Sequence, residues 1–221
     1  MQEVTIPGRS TDTVRFTPFI YGTNANKWEP GAKNPPLYKV MLFTRRDGAY
    51  REYMPLKIGF GKTELVDGRL TRFDKELKLV KAGYNAAADR KTTLAELKTL
   101  KAKGNNTICP DYPQPGWFYD LCDELGLYVI DCANINAPEK RDDRKVGGTP
   151  SNDPSLADEY LERVKAMYYR SRNHSCVIAF ALGGESGNGY NMYKAYEWLK
   201  SVEKSRPVIC ADADGEWNSD L

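Results

Sequence analysis

Histidine is almost missing from this chain: His174 is the only one among 221 residues. Sites that need several imidazole ligands, such as a histidine-rich zinc centre, are therefore excluded. The five cysteines are odd in number and show no CxxC or CxxxC spacing, which favours free thiols over a disulfide framework. We expect buried, reduced thiols, consistent with expression in the cytoplasm. The cysteines are Cys109, Cys122, Cys132, Cys176 and Cys210.

Strong charge and long apolar runs are also lacking. Lys and Arg number 32 against 30 Asp and Glu, for a net charge of +2 without a basic block, so we expect no nucleic-acid partner. The longest apolar runs, 126–130 and 176–182, fall far below the roughly 20 residues of a membrane span, so we expect no integral membrane association. The residues after Met1 are polar and do not form a secretory signal, which leaves a mature secreted form open.

The first part of the chain has β periodicity. Apolar and polar residues alternate over 13–21 and over 37–56, and the second stretch is interrupted by Asp47-Gly48, a typical hairpin turn. This pattern predicts an antiparallel hairpin that belongs to a β-sandwich. The strands are too few to close a sandwich, which usually needs about seven. The organisation changes near Pro55.

After residue 63, short apolar runs alternate with stretches of helical spacing. Strands separated by helix-sized connections indicate parallel pairing, so the pattern predicts a (βα)₄β unit. Asp153 before Pro154, and Thr92 or Thr93 before Glu96, are candidate helix starts. The predicted strands are 77–82, 106–110, 127–132, 176–182 and 207–211, and the predicted helices are 92–103, 115–125, 153–172 and 190–203.

Five parallel strands fit either an open doubly wound sheet or the first five strands of an eight-stranded barrel. No GxGxxG follows the first predicted strand, so a nucleotide-binding sheet is disfavoured. Polar residues instead cluster where the strands end, at the face that carries the chemistry of a TIM barrel. These residues are Asn85, Asp111, Tyr112, Asp131, Asn134, Asn136, Glu185, Ser186, Asn188, Asp212 and Asp214.

Four blocks in register make the barrel assignment specific. Together they resemble successive landmarks of glycoside hydrolase family 2, the bacterial β-galactosidases especially. The resemblance implies that residues 1–56 are a partial immunoglobulin-like β-sandwich segment and that residues 57–221 are the N-terminal part of a TIM barrel. The blocks are WEPGAKNPPLYKV (28–40), CPDYPQPGWFYDLCDELGLYVIDCANI (109–135), RSRNHSCVIAFALGGESGNG (170–189) and SRPVICADADGEWNSDL (205–221).

The resemblance also implies a reaction. Family members are retaining glycosidases, which use one carboxylic acid to protonate the leaving oxygen and a carboxylate about 5 Å away as nucleophile. The family's acid/base maps onto Glu185, in Gly-Glu-Ser-Gly, and its nucleophile lies on a seventh strand, beyond Leu221. We therefore expect the polypeptide alone to be inactive. Asp111, Tyr112 and Asn134 are the candidate substrate-binding residues, although a turn role for Asp111 is an alternative.

Several positions depart from the family pattern. Gly184 stands where the family has an asparagine that contacts the sugar 2-hydroxyl. The family binds Mg²⁺ with a glutamate and a histidine, whose positions hold Asn136 and Pro138 here. The second acidic residue of the family's Asp-Glu pair is replaced by Cys132. The resemblance therefore implies that the Mg²⁺ site is lost, and we expect no metal and no cofactor.

These departures leave two origins open. The chain is either a truncated pseudoenzyme or a deliberately shortened and altered protein, for which Ala86-Ala87-Ala88 is a mild hint. Two groups of residues can each be interpreted in two ways. Asp212, Asp214 and Glu216 resemble a metal cluster, but a surface turn is favoured; Trp28 and Trp217 could stack on a sugar, but burial is the commoner fate of tryptophan.

Two functions of different classes follow. The chain is either a piece of a β-galactosidase, with a carbohydrate as its partner, or a non-catalytic scaffold or interaction module. Family members also cleave β-glucuronides and β-mannosides, and the landmarks favour galactoside. A five-stranded arc leaves strand edges unpaired, so we expect self-association or a complementing chain.

Overall fold

The computed structural model describes residues 3–15, 26–30 and 35–221. Its first regular element is an antiparallel hairpin of β1 (Tyr38–Arg46) and β2 (Ala49–Ile58). Asp47 and Gly48 turn the chain with φ of 51° and 76°. Positive φ at both central turn residues matches the twist of the two strands, which is why Asp-Gly is favoured here. The hairpin is confirmed.

The hairpin has apolar side chains on both faces. Phe43 and Tyr53 are cross-strand partners, as are Leu42 and Met54, and all four are exposed. A two-stranded ribbon is marginally stable alone, so this composition fits a sheet packed against further structure. Residues 13–15 form no strand, and the remainder of the candidate strand 13–21 lies outside the described residues. The immunoglobulin-like sandwich and its boundary at residue 56 stay predictions.

A second antiparallel sheet follows, which the sequence analysis missed. It contains β3 (Thr63–Val66), β4 (Arg69–Arg72) and β5 (Lys75–Glu76) in that order. Asp67 and Gly68 form its first turn with φ of 50° and 73°, and this Asp-Gly pair was the available signal. Trp28 of the preceding segment is fully buried beside this sheet: its carbonyl accepts from Arg72 Nη2 at 3.2 Å.

The main sheet is parallel, as predicted. Its strands lie in the order β10-β9-β8-β7-β6, so sequential strands are neighbours, as in a TIM barrel that has not closed. The partial TIM barrel is therefore confirmed. The strands are β6 (Lys81–Gly83), β7 (Thr107–Cys109), β8 (Tyr128–Cys132), β9 (Val177–Ala181) and β10 (Val208–Ile209).

The first barrel strand is shorter and later than predicted. Asn106 explains the difference, because its side chain binds the segment before β6. The Asn106 amide accepts from Val80 N at 2.8 Å and donates to Lys78 O at 2.8 Å. The side chain thus takes up the Val80 N–H, while Val80 O keeps backbone bonds from Asn106 N and Thr107 N at 3.1 and 3.2 Å.

Four helices connect the barrel strands, each close to its predicted range. The cap of α1 differs from the prediction: the Asp89 carboxylate accepts from Thr92 N at 2.9 Å, so no threonine caps this helix. Asp153 caps as predicted, but on a 3₁₀ turn, Pro154–Leu156, that leads into α3. The helices are α1 (Arg90–Ala102), α2 (Gly116–Leu125), α3 (Ala157–Ser171) and α4 (Tyr190–Val202).

The central strands are buried on both faces. Every residue of β8 is buried, which means that the arc does not expose the middle of its concave side. Tyr128 packs against Trp28, with ring centroids 5.9 Å apart, and the Arg72 guanidinium lies 5.9 Å from the Tyr128 ring. The segment that precedes the barrel therefore fills one end of it.

The outer edge of β10 is also covered. Asp220 N donates to Val208 O and the Asp220 carboxylate accepts from Val208 N, both at 2.8 Å. Ser219 Oγ accepts from Cys210 N at 3.1 Å. We had expected a free edge on the fifth strand; the last residues of the chain satisfy these backbone groups instead.

All five cysteines are free, and burial is the rule: four are buried and Cys109 is half-buried. Burial raises the pKa of the Cys132 thiol to about 12 and that of Cys210 to about 11, so both are neutral at pH 7. Among the described residues, no helix is both long enough and apolar enough to cross a bilayer.

Candidate functional site

The loops after the first two barrel strands form a polar network. Asn85, after β6, donates from Nδ2 to the Asp111 carboxylate at 2.9 Å and accepts from Asp111 N at 3.0 Å. The Gln114 amide donates to Asn85 Oδ1 at 3.2 Å and accepts from Ala86 N at 2.7 Å. Asp111 therefore organises a turn, and its carboxylate remains exposed at the strand ends.

Tyr112 and Asn134 occupy different surroundings. The Tyr112 ring is 44% exposed, and its hydroxyl accepts from Asn136 Nδ2 at 3.2 Å. Asn134 is exposed between buried Ala133 and Ile135, and its carbonyl accepts from Arg163 of α3 at 2.7 Å. The structure thus joins Tyr112 to Asn136, whereas the Asn134 side chain forms no hydrogen bond among the described residues.

Glu185 lies in the loop that follows β9. Two backbone hydrogen bonds tie this loop to the one after β8: Gly184 N to Ile135 O and Ala137 N to Glu185 O, both at 2.9 Å. Gly183 has to be small, since a Cβ there would lie 2.8 Å from Ile135 O. The backbone at Glu185 is therefore fixed, while its side chain is 67% exposed.

A neighbouring arginine contacts this carboxylate. Arg141 Nη1 lies 3.3 Å from Glu185 Oε1, and Arg141 Nη2 lies 2.6 Å from Asp212 Oδ1. The Asp212 carboxylate, and to a lesser extent Glu185, raises the pKa of Arg141. One guanidinium therefore bridges the loops after β9 and β10.

Asp212 is buried, so the surface-turn interpretation was wrong for it. Its Oδ2 accepts from Ser186 N at 2.8 Å and from Gly187 N at 2.6 Å, which holds the loop of Glu185. Asp214 and Glu216 do lie in a turn, where Arg144 binds them at 2.6 and 2.5 Å. Arginines therefore contact all three carboxylates.

Trp217 also departs from expectation. Burial is confirmed for Trp28 but not for Trp217, which is 56% exposed. One side of Trp217 packs on Tyr193 and Tyr196, with ring centroids 5.3 and 5.6 Å away. The other side lies open to solvent.

Sequence reasoning missed Arg141 and Arg144. Both belong to the loop between β8 and α3, and their acidic partners follow about 70 residues later, after β10. The only local signal was the charged run Arg-Asp-Asp-Arg-Lys at 141–145. Nothing in that run identifies which carboxylates it meets.

The positions of the family's Mg²⁺ ligands do not fit a magnesium ion. Magnesium prefers carboxylate and water oxygens. Here Cys132 is a buried neutral thiol, Asn136 offers one amide that binds Tyr112, and Pro138 offers no side-chain ligand. The donor set therefore supports no step through this metal.

One group of potential metal ligands lies elsewhere, at the opposite end of the barrel: Asp123, His174 and Cys176. His174 Nδ1 lies 2.7 Å from Asp123 Oδ2, and Asp123 Oδ1 accepts from Cys176 N at 2.7 Å. Burial raises the pKa of the Cys176 thiol well above its usual value, so it stays protonated. These contacts join α2 to the segment before β9.

Known proteins match this chain in sequence. The model of "Glycosyl hydrolases family 2, TIM barrel domain" matches residues 83–220. The β-galactosidase of Vibrio cholerae is 34% identical over 185 residues, and that of Lactococcus lactis is 36% identical over 190. Each alignment covers 79% of this chain and 18% of the relative, so the chain spans about a fifth of the length of these curated relatives.

Solved structures match in fold. A β-D-glucuronidase from Dictyoglomus thermophilum aligns with a TM-score of 0.70 at 19% identity, over 85% of this chain and 34% of that chain. A β-glycosidase from Bacteroides vulgatus aligns with a TM-score of 0.68 at 22% identity, over 86% and 25%. Parallel strand order, family match and relatives above 30% identity agree: the chain belongs to glycoside hydrolase family 2.

Proposed function

We propose that this chain forms the acid/base half of a β-galactoside-cleaving site, with Glu185 as the general acid/base. The observation that carries the proposal is the placement of Glu185, which follows the fourth parallel strand on a loop fixed by backbone hydrogen bonds and is 67% exposed. The C-terminal strand ends are where TIM-barrel chemistry occurs. The similarity to β-galactosidases supports β-galactosides as the substrate class.

A retaining glycosidase needs a second carboxylate about 5 Å from the acid, as nucleophile. Asp212 is the nearby candidate among the described residues, but two N–H groups and Arg141 already bind it. It is also buried, so an anomeric carbon has no access to it. We infer that the 221-residue polypeptide needs a carboxylate from further sequence or another chain and hydrolyses no glycoside alone.

Three side chains are proposed as sugar contacts. The exposed Tyr112 ring offers an apolar face for sugar C–H groups and a hydroxyl for hydrogen bonding. The exposed Asp111 carboxylate is a hydrogen-bond acceptor beside it. The Asn134 amide, without a partner among the described residues, is available to a sugar hydroxyl.

The test combines turnover with binding. We expect no hydrolysis of chromogenic β-galactosides or β-glucuronides by the wild-type polypeptide, and weak, saturable galactose binding by saturation-transfer NMR that Tyr112→Ala reduces. Hydrolysis that is abolished in Glu185→Gln and retained in Glu139→Gln, an exposed glutamate of the neighbouring loop, would establish Glu185 as the acid/base and overturn the inactivity.

A second candidate function is a non-catalytic, self-associating module. The exposed apolar hairpin favours it, because such a ribbon gains stability by packing against another copy. Sugar binding distinguishes the two functions. Self-association without any sugar binding favours the module, whereas galactose binding that depends on Tyr112 favours the glycosidase half-site.

A further inference from the structure

A cationic cavity lies at the end of the barrel opposite Glu185. It has a volume of about 240 Å³, opens to solvent, and is lined by the small sheet of β3 and β4 and by the segments that precede β9 and β10. Water occupies about 30 Å³ per molecule in the liquid, so the cavity has room for a small ion with several waters. Its charged lining consists of Lys62, Arg72, Arg172 and Arg206, and the imidazole of His174 also borders it.

Arg72 is the least exposed of these cations, at 5%. Its Nη1 donates to Thr63 Oγ1 at 2.9 Å and its Nη2 to Trp28 O at 3.2 Å, while Nε has no acceptor among the described residues. The guanidinium lies 5.1 Å from the Trp28 ring and 5.5 Å from the Phe73 ring. Aromatic faces and neutral oxygens surround it, so the buried charge has no carboxylate in direct contact among the described residues.

No carboxylate of the described residues lies within ion-pair distance of Arg72; Glu29 and Asp123 act on its charge only from farther away. Among the described residues it forms no ion pair, and residues 1–2, 16–25 and 31–34 contain neither Asp nor Glu. Burial lowers the pKa of Arg72, in keeping with an unpaired site, although an arginine still stays charged at neutral pH. An unpaired buried charge is costly, so a counter-ion is expected to stabilise it.

Gly61 makes room for this guanidinium. A Cβ on Gly61 would overlap the Arg72 Nη2 atom, and a Cβ on Gly59 would lie 2.7 Å from Ser175 Oγ. The backbone therefore approaches the arginine as closely as it can. The arrangement holds the guanidinium at the wall of the cavity.

The other cations divide into two kinds. Arg206 is paired with Glu203 and Lys62 with Glu64, and His174 binds Asp123. Arg172 has no carboxylate within 4.0 Å among the described residues; its guanidinium lies 4.9 Å from the Tyr169 ring. Arg72 and Arg172, two guanidinium groups without an ion pair among the described residues, thus border one cavity.

We propose that this cavity binds a small tetrahedral oxyanion of the phosphate class. Two guanidinium groups supply charge-assisted hydrogen bonds, and the Arg72 Nε–H, which has no acceptor among the described residues, is one of the donors. The site is separate from Glu185, which lies at the C-terminal ends of the strands. The phosphate proposal is therefore independent of the glycosidase proposal. Bound phosphate neutralises the buried Arg72 and links the small sheet to the barrel.

Isothermal titration of the 221-residue protein with inorganic phosphate, at constant ionic strength in chloride, tests the site. We expect saturable binding that weakens about tenfold or more in Arg72→Met, which keeps a long apolar side chain but removes the charge. Arg172→Gln, at an exposed position, serves where Arg72→Met does not fold, and is expected to weaken binding several-fold. Arg45→Gln, on the hairpin, is the control and is expected to bind as wild type.

Thermal unfolding gives a second readout. Phosphate that binds only the folded state raises Tm with concentration, and acetate at equal ionic strength should not. Absence of saturable binding, equal affinity in wild type and Arg172→Gln, or acetate binding as tightly as phosphate would overturn the proposal. In that case Arg72 acts only through its packing against Trp28.

Discussion

At the scale of single residues, the most completely satisfied charge is Glu203 at the end of α4. Its Oε2 accepts from Arg206 Nε at 2.9 Å and its Oε1 from the N–H groups of Ser205 and Arg206 at 3.0 and 3.2 Å. Burial acts to raise the pKa of Glu203, but the Arg206 charge and these donors outweigh burial and lower it. The ionised form is therefore the one that the fold stabilises.

We predict that Glu203→Gln destabilises the protein by about 1–3 kcal/mol at pH 7. A lowered pKa means that the contribution is complete well above the ordinary value of 4.5 and is lost as pH falls below it. Urea unfolding of both proteins at pH 7 and pH 3 measures this, with exposed Glu162→Gln as control. A difference that is as large at pH 3 as at pH 7 would contradict the electrostatic origin.

The position of a residue in the fold was predictable where a local sequence motif specified it. Glu185 could be placed after the fourth strand because Gly-Glu-Ser-Gly directly follows an apolar run. Its neighbours Arg141 and Asp212 could not, because they lie 71 residues apart and only the folded barrel brings them within 2.6 Å. The same holds for Arg72, whose burial depends on Trp28 and Gly61.

At the scale of elements, helix termini show how local chemistry sets boundaries. The Asp89 side chain caps α1, and its hydrogen bond from Thr92 N lowers the pKa of Asp89. The sequence contains two competing caps within four residues, Asp89 and the threonine pair. Asp89 is the cap because its carboxylate accepts a hydrogen bond from the N–H of Thr92, three residues later.

Asp89→Ala is predicted to lower Tm by a few degrees, whereas Thr92→Ala should leave it unchanged or raise it, since alanine is the better helix former. Differential scanning fluorimetry of the two variants at pH 7 distinguishes the caps. The deficit of Asp89→Ala should shrink as pH falls from the ordinary value of 3.8 through the lowered pKa of the native carboxylate. Equal losses in both variants would argue for a threonine cap.

Elements with periodic apolar residues were the predictable ones. The helices were placed within two residues except for α3, which begins after a 3₁₀ turn. Short strands were harder: β3 and β4 have only four residues each, and the Asp67-Gly68 turn was the sole clue. Strand β6 was misplaced because the Asn106 side chain substitutes for a strand partner.

At the scale of the whole molecule, Trp28 connects the N-terminal segment to the barrel. It is fully buried, its indole N–H donates to Asp123 O at 2.9 Å, and its ring packs on Tyr128. Asp123 in turn binds His174 and Cys176 N. One side chain thus joins the small sheet, α2 and the approach to β9.

Trp28→Ala should therefore cost roughly 3–5 kcal/mol, the usual loss for a large aromatic in a core. Exposed Trp217→Ala is the matched control and should cost less than about 1 kcal/mol. Guanidinium unfolding followed by circular dichroism measures both free energies. Similar losses for the two tryptophans would show that the N-terminal segment contributes little to the folded core.

We also predict self-association through the hairpin of β1 and β2. Phe43, Tyr50 and Tyr53 form an exposed aromatic cluster with neighbouring ring centroids 5.1 and 5.6 Å apart. Light scattering at micromolar concentration should give a mass above 25.0 kDa, and Phe43→Lys should lower it. A monomeric wild type would contradict self-association through the hairpin. The covered edge of β10 would then be sufficient to keep the protein monomeric.

Arg141 has a final consequence for any ligand of Glu185. Because its guanidinium already contacts this carboxylate, sugar binding there is an exchange, in which one partner leaves as another arrives. Salt weakens contacts between charges but has little effect on a neutral sugar. Affinity for galactose at Glu185, as proposed, should therefore increase with ionic strength. Arg141, in the loop between β8 and α3, competes with the sugar for this carboxylate, and salt weakens that competition.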